Sequence, residues 1–123
     1  MKVGIAQISP VLLNREATLA KAAEWSNRAA DEGCALVAFG ETLAPAYPFW
    51  LSRTDAARFD APDQKRLHAR YVEQGVVIEG PHLEQLCAVA AKRRIAIVLG
   101  VAQRAIDRGG HSLYCTRVFI DNG

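Results

Sequence analysis

Ala35-Leu36-Val37-Ala38-Phe39-Gly40-Glu41-Thr42-Leu43-Ala44-Pro45-Ala46-Tyr47-Pro48-Phe49-Trp50 is the stretch on which the fold turns. It opens with a short, continuously apolar run between Gly33 and Gly40, the pattern of a strand covered on both faces in a parallel or mixed sheet. A lone carboxylate, Glu41, stands just past the carboxyl end of that strand, followed by prolines and aromatic residues. Open α/β sheets bind ligands in the crevice beyond their strand ends, so a carboxylate there is placed to act on a substrate. The same position also suits an acid that caps the next turn or pairs with an arginine, and position alone does not separate the two readings.

Working outward, Val3 to Ile8 reads as a buried first strand stopped by Ser9-Pro10, because proline has no ladder donor. Asn14 is placed to cap a helix over 15 to 32, with Glu16 in the first turn where the helix dipole favours negative charge. Leu19, Ala22, Ala23, Ser26, Ala29 and Ala30 share one face of that helix, and Gly33 offers a left-handed stop. Strand, helix and the 35 to 39 strand form a βαβ unit with a right-handed crossover.

From Ser52 the composition turns polar. Pro62 suits a first helical turn, and Leu67, Arg70, Tyr71 and Gln74 make a weak stripe, which predicts a surface or interface helix ending near Gly75. A short extended piece from Val76 leads to a helix over 81 to 93, whose buried face is expected to hold Leu83, Leu86, Cys87, Val89, Ala90 and Ala91. Residues 95 to 102, the most apolar run in the chain, read as a central strand. Residues 113 to 120 follow too soon for a helical crossover and should be its antiparallel neighbour. The fold class is therefore α/β with a mixed sheet of four strands, the 15 to 32 and 81 to 93 helices on one face, and apolar side chains on the other. Asp121-Asn122-Gly123 is a reverse-turn signal.

At 123 residues, half of them hydrophobic and 23% charged, with a net charge of +2, the chain describes one soluble domain with no field suited to nucleic acid or anionic lipid. The start Met1-Lys2-Val3-Gly4-Ile5-Ala6-Gln7 is neither a signal peptide nor a membrane span, which points to a cytoplasmic protein. Cys34, Cys87 and Cys115 are odd in number and widely spaced, so reduced, buried, structural thiols are expected rather than disulfides or a zinc site. His68, His82 and His111 form no ligand pair and read as surface or loop residues.

Phe39-Gly40-Glu41-Thr42 with Ala46-Tyr47-Pro48-Phe49-Trp50 resembles the first catalytic segment of the nitrilase branch of the carbon-nitrogen hydrolases. Residues 3 to 10, Ile97-Val98-Leu99-Gly100-Val101 and 113 to 120 resemble successive further blocks of that family, so the resemblance spans essentially the whole chain. It implies an αββα sandwich, Glu41 as general base, and Tyr47, Pro48 and Trp50 as pocket wall, with the carboxylate facing a concavity bordered by the Tyr47 and Trp50 rings. Two departures show: Gly40 stands where proline is usual, and Ala46 where glycine is usual.

The family chemistry also needs a cysteine nucleophile and a lysine, which have no matching positions in residues 1 to 123, so the chain reads as the N-terminal portion of a single domain. By this resemblance a nitrile becomes a carboxylic acid and ammonia through a thioimidate, with no metal or organic cofactor. The partners implied are a small nitrile or amide and further copies in a homo-oligomer. The aromatic run inclines the substrate towards aromatic or arylaliphatic nitriles. An amidase of the same superfamily, or a non-catalytic truncated or assembly module, are the alternatives.

Overall fold

The apolar runs become four neighbouring strands that lie in the order in which they occur in the chain. The computed structural model describes residues 1–56, 58–106 and 108–121. Strands β1 (Val3–Ala6), β2 (Leu36–Phe39), β3 (Ala96–Arg104) and β4 (Leu113–Ile120) form one sheet of order β1-β2-β3-β4. The first two pairings are parallel and β3 with β4 is antiparallel, as the spacings require. Between them lie helices α1 (Arg15–Asp31), α2 (Trp50–Arg53), α3 (Pro62–Glu73) and α4 (Glu84–Arg93), the last entered through a 3-10 turn at Pro81–Leu83. Of the expected closing turn, Asn122 and Gly123 lie outside the described residues.

Local chemistry sets the helix limits. The Asn14 side-chain oxygen accepts a hydrogen bond from the Ala17 N–H at 3.0 Å, which satisfies one of the donors left over at the start of α1. Gly33, at a φ of 76°, turns the chain out of the helix. Small residues on the inner face of α1 let it lie close to the sheet. Leu19, Ala22 and Ala23 of α1 pack with Leu83, Leu86 and Ala90 over Val37, Phe39, Ile97, Leu99, Val101 and Ile120. Ser26 joins this buried surface at no cost in unmet polarity, because its hydroxyl donates to the Ala22 carbonyl at 2.8 Å. Arg93 at the end of α4 forms an ion pair with Asp31 and donates to Asn27, joining the two helices.

The opposite face is divided. Alternation places Val3, Ile5, Leu36, Ala38, Ala96, Val98 and Phe119 there. Ile5 is 86% exposed and Phe119 72%, so this part is bare and apolar, as expected. Its other end is covered: Ala102 is buried beneath Trp50 and Tyr71, with Leu13, Leu67 and Leu113 at the edge of this second, smaller core. Among the described residues no helix is long and apolar enough to cross a membrane.

Four expectations need correction. The first strand is neither buried nor as long as Ile8: it ends at Ala6, lies at the edge of the sheet and exposes Val3 and Ile5. Helix α3 is not confined to the surface, because Tyr71 and Val72 are buried by packing on the covered end of the sheet. Cys87 and Ala91 are exposed, since the inward stripe of α4 runs through Leu83, Leu86 and Ala90 and leaves both flanking positions outside it. Cys115 is also exposed, on the open face of β4, and Cys34 is half-buried, so the thiols are not uniformly core residues.

Because Leu86 is fully buried between the helices and the sheet, Leu86→Ala is expected to lower stability by about 2–5 kcal/mol. Phe119→Ala, on the bare face, should change it by no more than about 0.5 kcal/mol. Urea denaturation of the two variants beside the wild type measures both.

Candidate active site

The strand that delivers Glu41 does not simply end. Ala38 lies opposite Val98 of β3, and the next parallel partner along the same edge is Ala44, opposite Val101. The chain from Ala38 to Ala44 is therefore longer than the stretch of β3 it accompanies, and the surplus must leave the sheet. It leaves on the open face, over Gly100. A Cβ placed on Gly100 would stand 2.3 Å from the Gly40 carbonyl oxygen and 2.7 Å from the Glu41 Cα. The chain then rejoins the sheet edge, where the Ala102 N–H donates to the Ala44 carbonyl at 2.9 Å.

This bulge is held in costly conformations. Thr42 has a φ of 45° although it is β-branched, and Ala46 has a φ of 141°. Conformations of this kind cost about 1–3 kcal/mol each and persist where surrounding structure imposes them. Thr42 and Ala46 are both buried, whereas Glu41 between Gly40 and Thr42 is exposed. The segment thus has an anchored frame and a free acid. The two departures from the family pattern now separate: a Cβ at Gly40 meets open space, so nothing there demands glycine, while Ala46 sits in a region that glycine would occupy without strain.

Register brings two further groups to the acid. Cys115 pairs with Ala102 and Arg117 with Gly100, which puts both on the open face beside the bulge. The Cys115 thiol has its pKa pushed above the ordinary value, first by desolvation, then by the charge of Glu41 and a hydrogen bond to it, with Arg117 pulling the other way. The residue is exposed, so of these causes the contact with Glu41 is the one the geometry supports. A thiol held in its protonated form is a poor nucleophile and a competent donor to a carboxylate.

The aromatic residues separate into two roles. Trp50 is buried, edge-on to Tyr71 at 5.0 Å between ring centroids, and the Tyr71 hydroxyl donates to the Ala46 carbonyl at 3.0 Å. Burial, followed by Cys115 and Tyr47, pushes the Tyr71 pKa up to about 12. Tyr47 is 62% exposed and Pro48 half-buried. The expected enclosure of Glu41 by Tyr47 and Trp50 is accordingly open. Trp50 turns into the second core instead of towards the acid, and the bare end of the face offers no wall opposite. Sequence reasoning gave Tyr71 only to a weak helical stripe, set Cys115 aside as a buried structural thiol and left Gly100 without a role. A lone glycine within an apolar strand was the usable signal, because it marks a close backbone approach.

The carbon-nitrogen hydrolase family model matches residues 2–123. The chain belongs to the carbon-nitrogen hydrolase family. Among the relatives of this carbon-nitrogen hydrolase chain, "Nitrilase 2" from an unknown prokaryotic organism is 38% identical over 122 residues, covering 96% of the chain and 36% of that protein. An aliphatic nitrilase of Rhodococcus rhodochrous is 33% identical, covering 98% of the chain and 31% of its own length. An arylacetonitrilase of Aspergillus oryzae is 30% identical, with 99% and 33% covered. The chain thus spans about a third of the length of these relatives. In fold it is similar to the C. elegans NitFhit protein, with a TM-score of 0.67 at 15% identity, over 98% of the chain and 24% of that protein.

Tyr71→Phe removes one buried hydrogen bond and should cost about 1 kcal/mol at neutral pH. Because the folded-state pKa of Tyr71 is raised, its contribution is complete below about 10 and fades as pH climbs towards about 12, so the gap between wild type and Tyr71→Phe should narrow over that window. Denaturation series at neutral and alkaline pH compare the two. Ala46→Gly should relieve strain and raise stability by about 1 kcal/mol, read as a thermal midpoint several degrees higher. A lower midpoint would show that the backbone there is not strained.

Proposed function

We propose that this chain forms the N-terminal part of a single nitrilase domain, in which Glu41 is the general base for converting a nitrile to a carboxylic acid and ammonia. The observation that carries the reading is the bulge: it lifts a solvent-accessible carboxylate out of the sheet just beyond the carboxyl end of β2, on buried and strained supports. The names of the relatives, nitrilases with aliphatic and arylacetonitrile substrates, support a nitrile over other carbon-nitrogen bonds.

In this mechanism a cysteine thiol adds across the nitrile. Sulfur bonds to carbon, Glu41 takes the thiol proton, and that proton passes to nitrogen to give a thioimidate. Water then attacks the same carbon with its proton drawn off by Glu41. Collapse expels ammonia and leaves a thioester, which a second water hydrolyses to the acid and the free thiol. Two waters are consumed for each nitrile. We assign the nucleophile and the lysine that stabilises the tetrahedral intermediate to residues outside 1–123. Cys115 is the nearest thiol, and its raised pKa disfavours the thiolate an attack needs. Tyr47 and Pro48 border the substrate, while Trp50 acts from behind as support. The bare apolar face is assigned to contact with further polypeptide of the same sandwich, and the assembled enzyme to a homo-oligomer.

In an enzyme holding this chain together with its nucleophile, Glu41→Gln should leave folding intact and abolish ammonia release from arylaliphatic nitriles, because the amide keeps the shape but accepts no proton. Wild-type turnover in that variant would end the general-base role. Residues 1–123 alone should release no ammonia from nitriles or amides. Turnover abolished by substituting Cys115 would assign that thiol as the nucleophile after all.

A further inference from the structure

We propose that Gly100 is a positioning residue for Glu41: the missing side chain at this point of β3 lets the acid-bearing bulge cross the sheet, and the depth of that crossing fixes where the carboxylate stands. The inference deepens the reading of Glu41 as the base and rests on it.

Three consecutive backbone groups occupy the space a side chain at position 100 would need. A Cβ there would lie 2.3 Å from the Gly40 oxygen, 2.7 Å from the Glu41 Cα and 2.8 Å from the Thr42 nitrogen. None of these can rotate aside, as the end of a flexible side chain could. Ordinary carbon contacts lie at about 3.5–4.0 Å, so even one methyl group would have to lift the bulge by about 1 Å. The two ends of the bulge are fixed, by Ala38 against Val98 and by Ala44 against Val101, so the displacement falls on residues 40 to 42. The Glu41 Cα is itself one of the crowded atoms, and its carboxylate must move with it. Val98 and Ala102, on the same face of β3 on either side, carry side chains, so the bare position coincides with the crossing. Gly40 provides the contrast, because a Cβ there meets nothing within 4 Å.

Cys115 gives a reporter that needs no turnover. It is exposed, and its titration feels Glu41. Gly100→Ala, Glu41→Gln and Gly40→Ala are made in the 123-residue chain. Alkylation of the Cys115 peptide by iodoacetamide is followed by mass spectrometry as a function of pH, alongside amide hydrogen exchange. The Glu41 charge and its hydrogen bond raise the Cys115 pKa, so Gly100→Ala, which shifts the carboxylate, should move the alkylation midpoint from the wild-type value towards that of Glu41→Gln. Gly40→Ala should coincide with wild type. Exchange in residues 40 to 46 of Gly100→Ala should quicken about tenfold or more while 96 to 99 and 117 to 120 keep their protection.

A Gly100→Ala chain with the wild-type midpoint and wild-type exchange at 40 to 46 would overturn the proposal. So would uniform loss of protection or loss of cooperative unfolding, since the glycine would then serve the sheet itself. If Glu41→Gln leaves the Cys115 midpoint where it was, the exchange pattern decides alone. In a nitrile-hydrolysing enzyme holding this chain, Gly100→Ala should lower kcat about 100-fold with KM nearly unchanged. Full activity in Glu41→Gln would remove the catalytic role and leave the positional result standing.

Discussion

Both edges of β3 must be paired, and the demands of one of them shape the candidate site. Along one side β4 supplies a continuous antiparallel ladder. Along the other, three separate pieces of chain take turns: Leu36 to Ala38, then Ala44, then Val76, which donates to the Ala102 carbonyl and accepts from the Arg104 N–H. Buried backbone groups left unpaired are expensive, so each piece is held at its place on the edge. The chain between the first two pieces is too long for the gap, and its excess has to protrude. Glu41 is at the top of that protrusion. The acid's exposure, the strain at Thr42 and Ala46 and the need for a bare backbone at Gly100 all follow from satisfying the same edge.

The sheet itself was legible because each strand is a run of apolar residues bounded by glycine, proline or charge, and because the short gap between 102 and 113 allows only a hairpin. The helices over the core were legible for a related reason: Leu19, Ala22, Ala23, Leu86 and Ala90 recur at helical spacing. Glu41 stood out as a single charge between apolar segments. These signals are local, and local periodicity is what one sequence displays most clearly.

What stayed hidden depends on contacts between distant segments. Tyr71 lies on a helix whose apolar stripe is too sparse to announce burial, and it is buried only because Trp50 and Ala102 meet it. The cysteines were judged by residue type, but which face of β4 Cys115 occupies is set by pairing with Ala102. The direction of the Trp50 ring was likewise a tertiary matter. His82 is a similar case: its Nδ1 accepts from the Val77 N–H at 2.9 Å, and its pKa is lowered, chiefly by desolvation. It serves as a neutral structural acceptor, which an isolated histidine in the sequence does not reveal.

The strand order has a kinetic meaning. Neighbours in the sheet are neighbours in the chain, so the sheet can grow by adding one strand at a time. The β3–β4 hairpin closes a short loop and β1 joins β2 across a single helix, but pairing β2 with β3 must close the whole connection that contains α2, α3 and α4. Loop-closure entropy rises with length, and non-local pairings form more slowly than local ones. The bulge carrying Glu41 is defined only once Ala38 and Ala44 have both found β3. The acid is therefore placed by the pairing that closes the longest connection in the sheet.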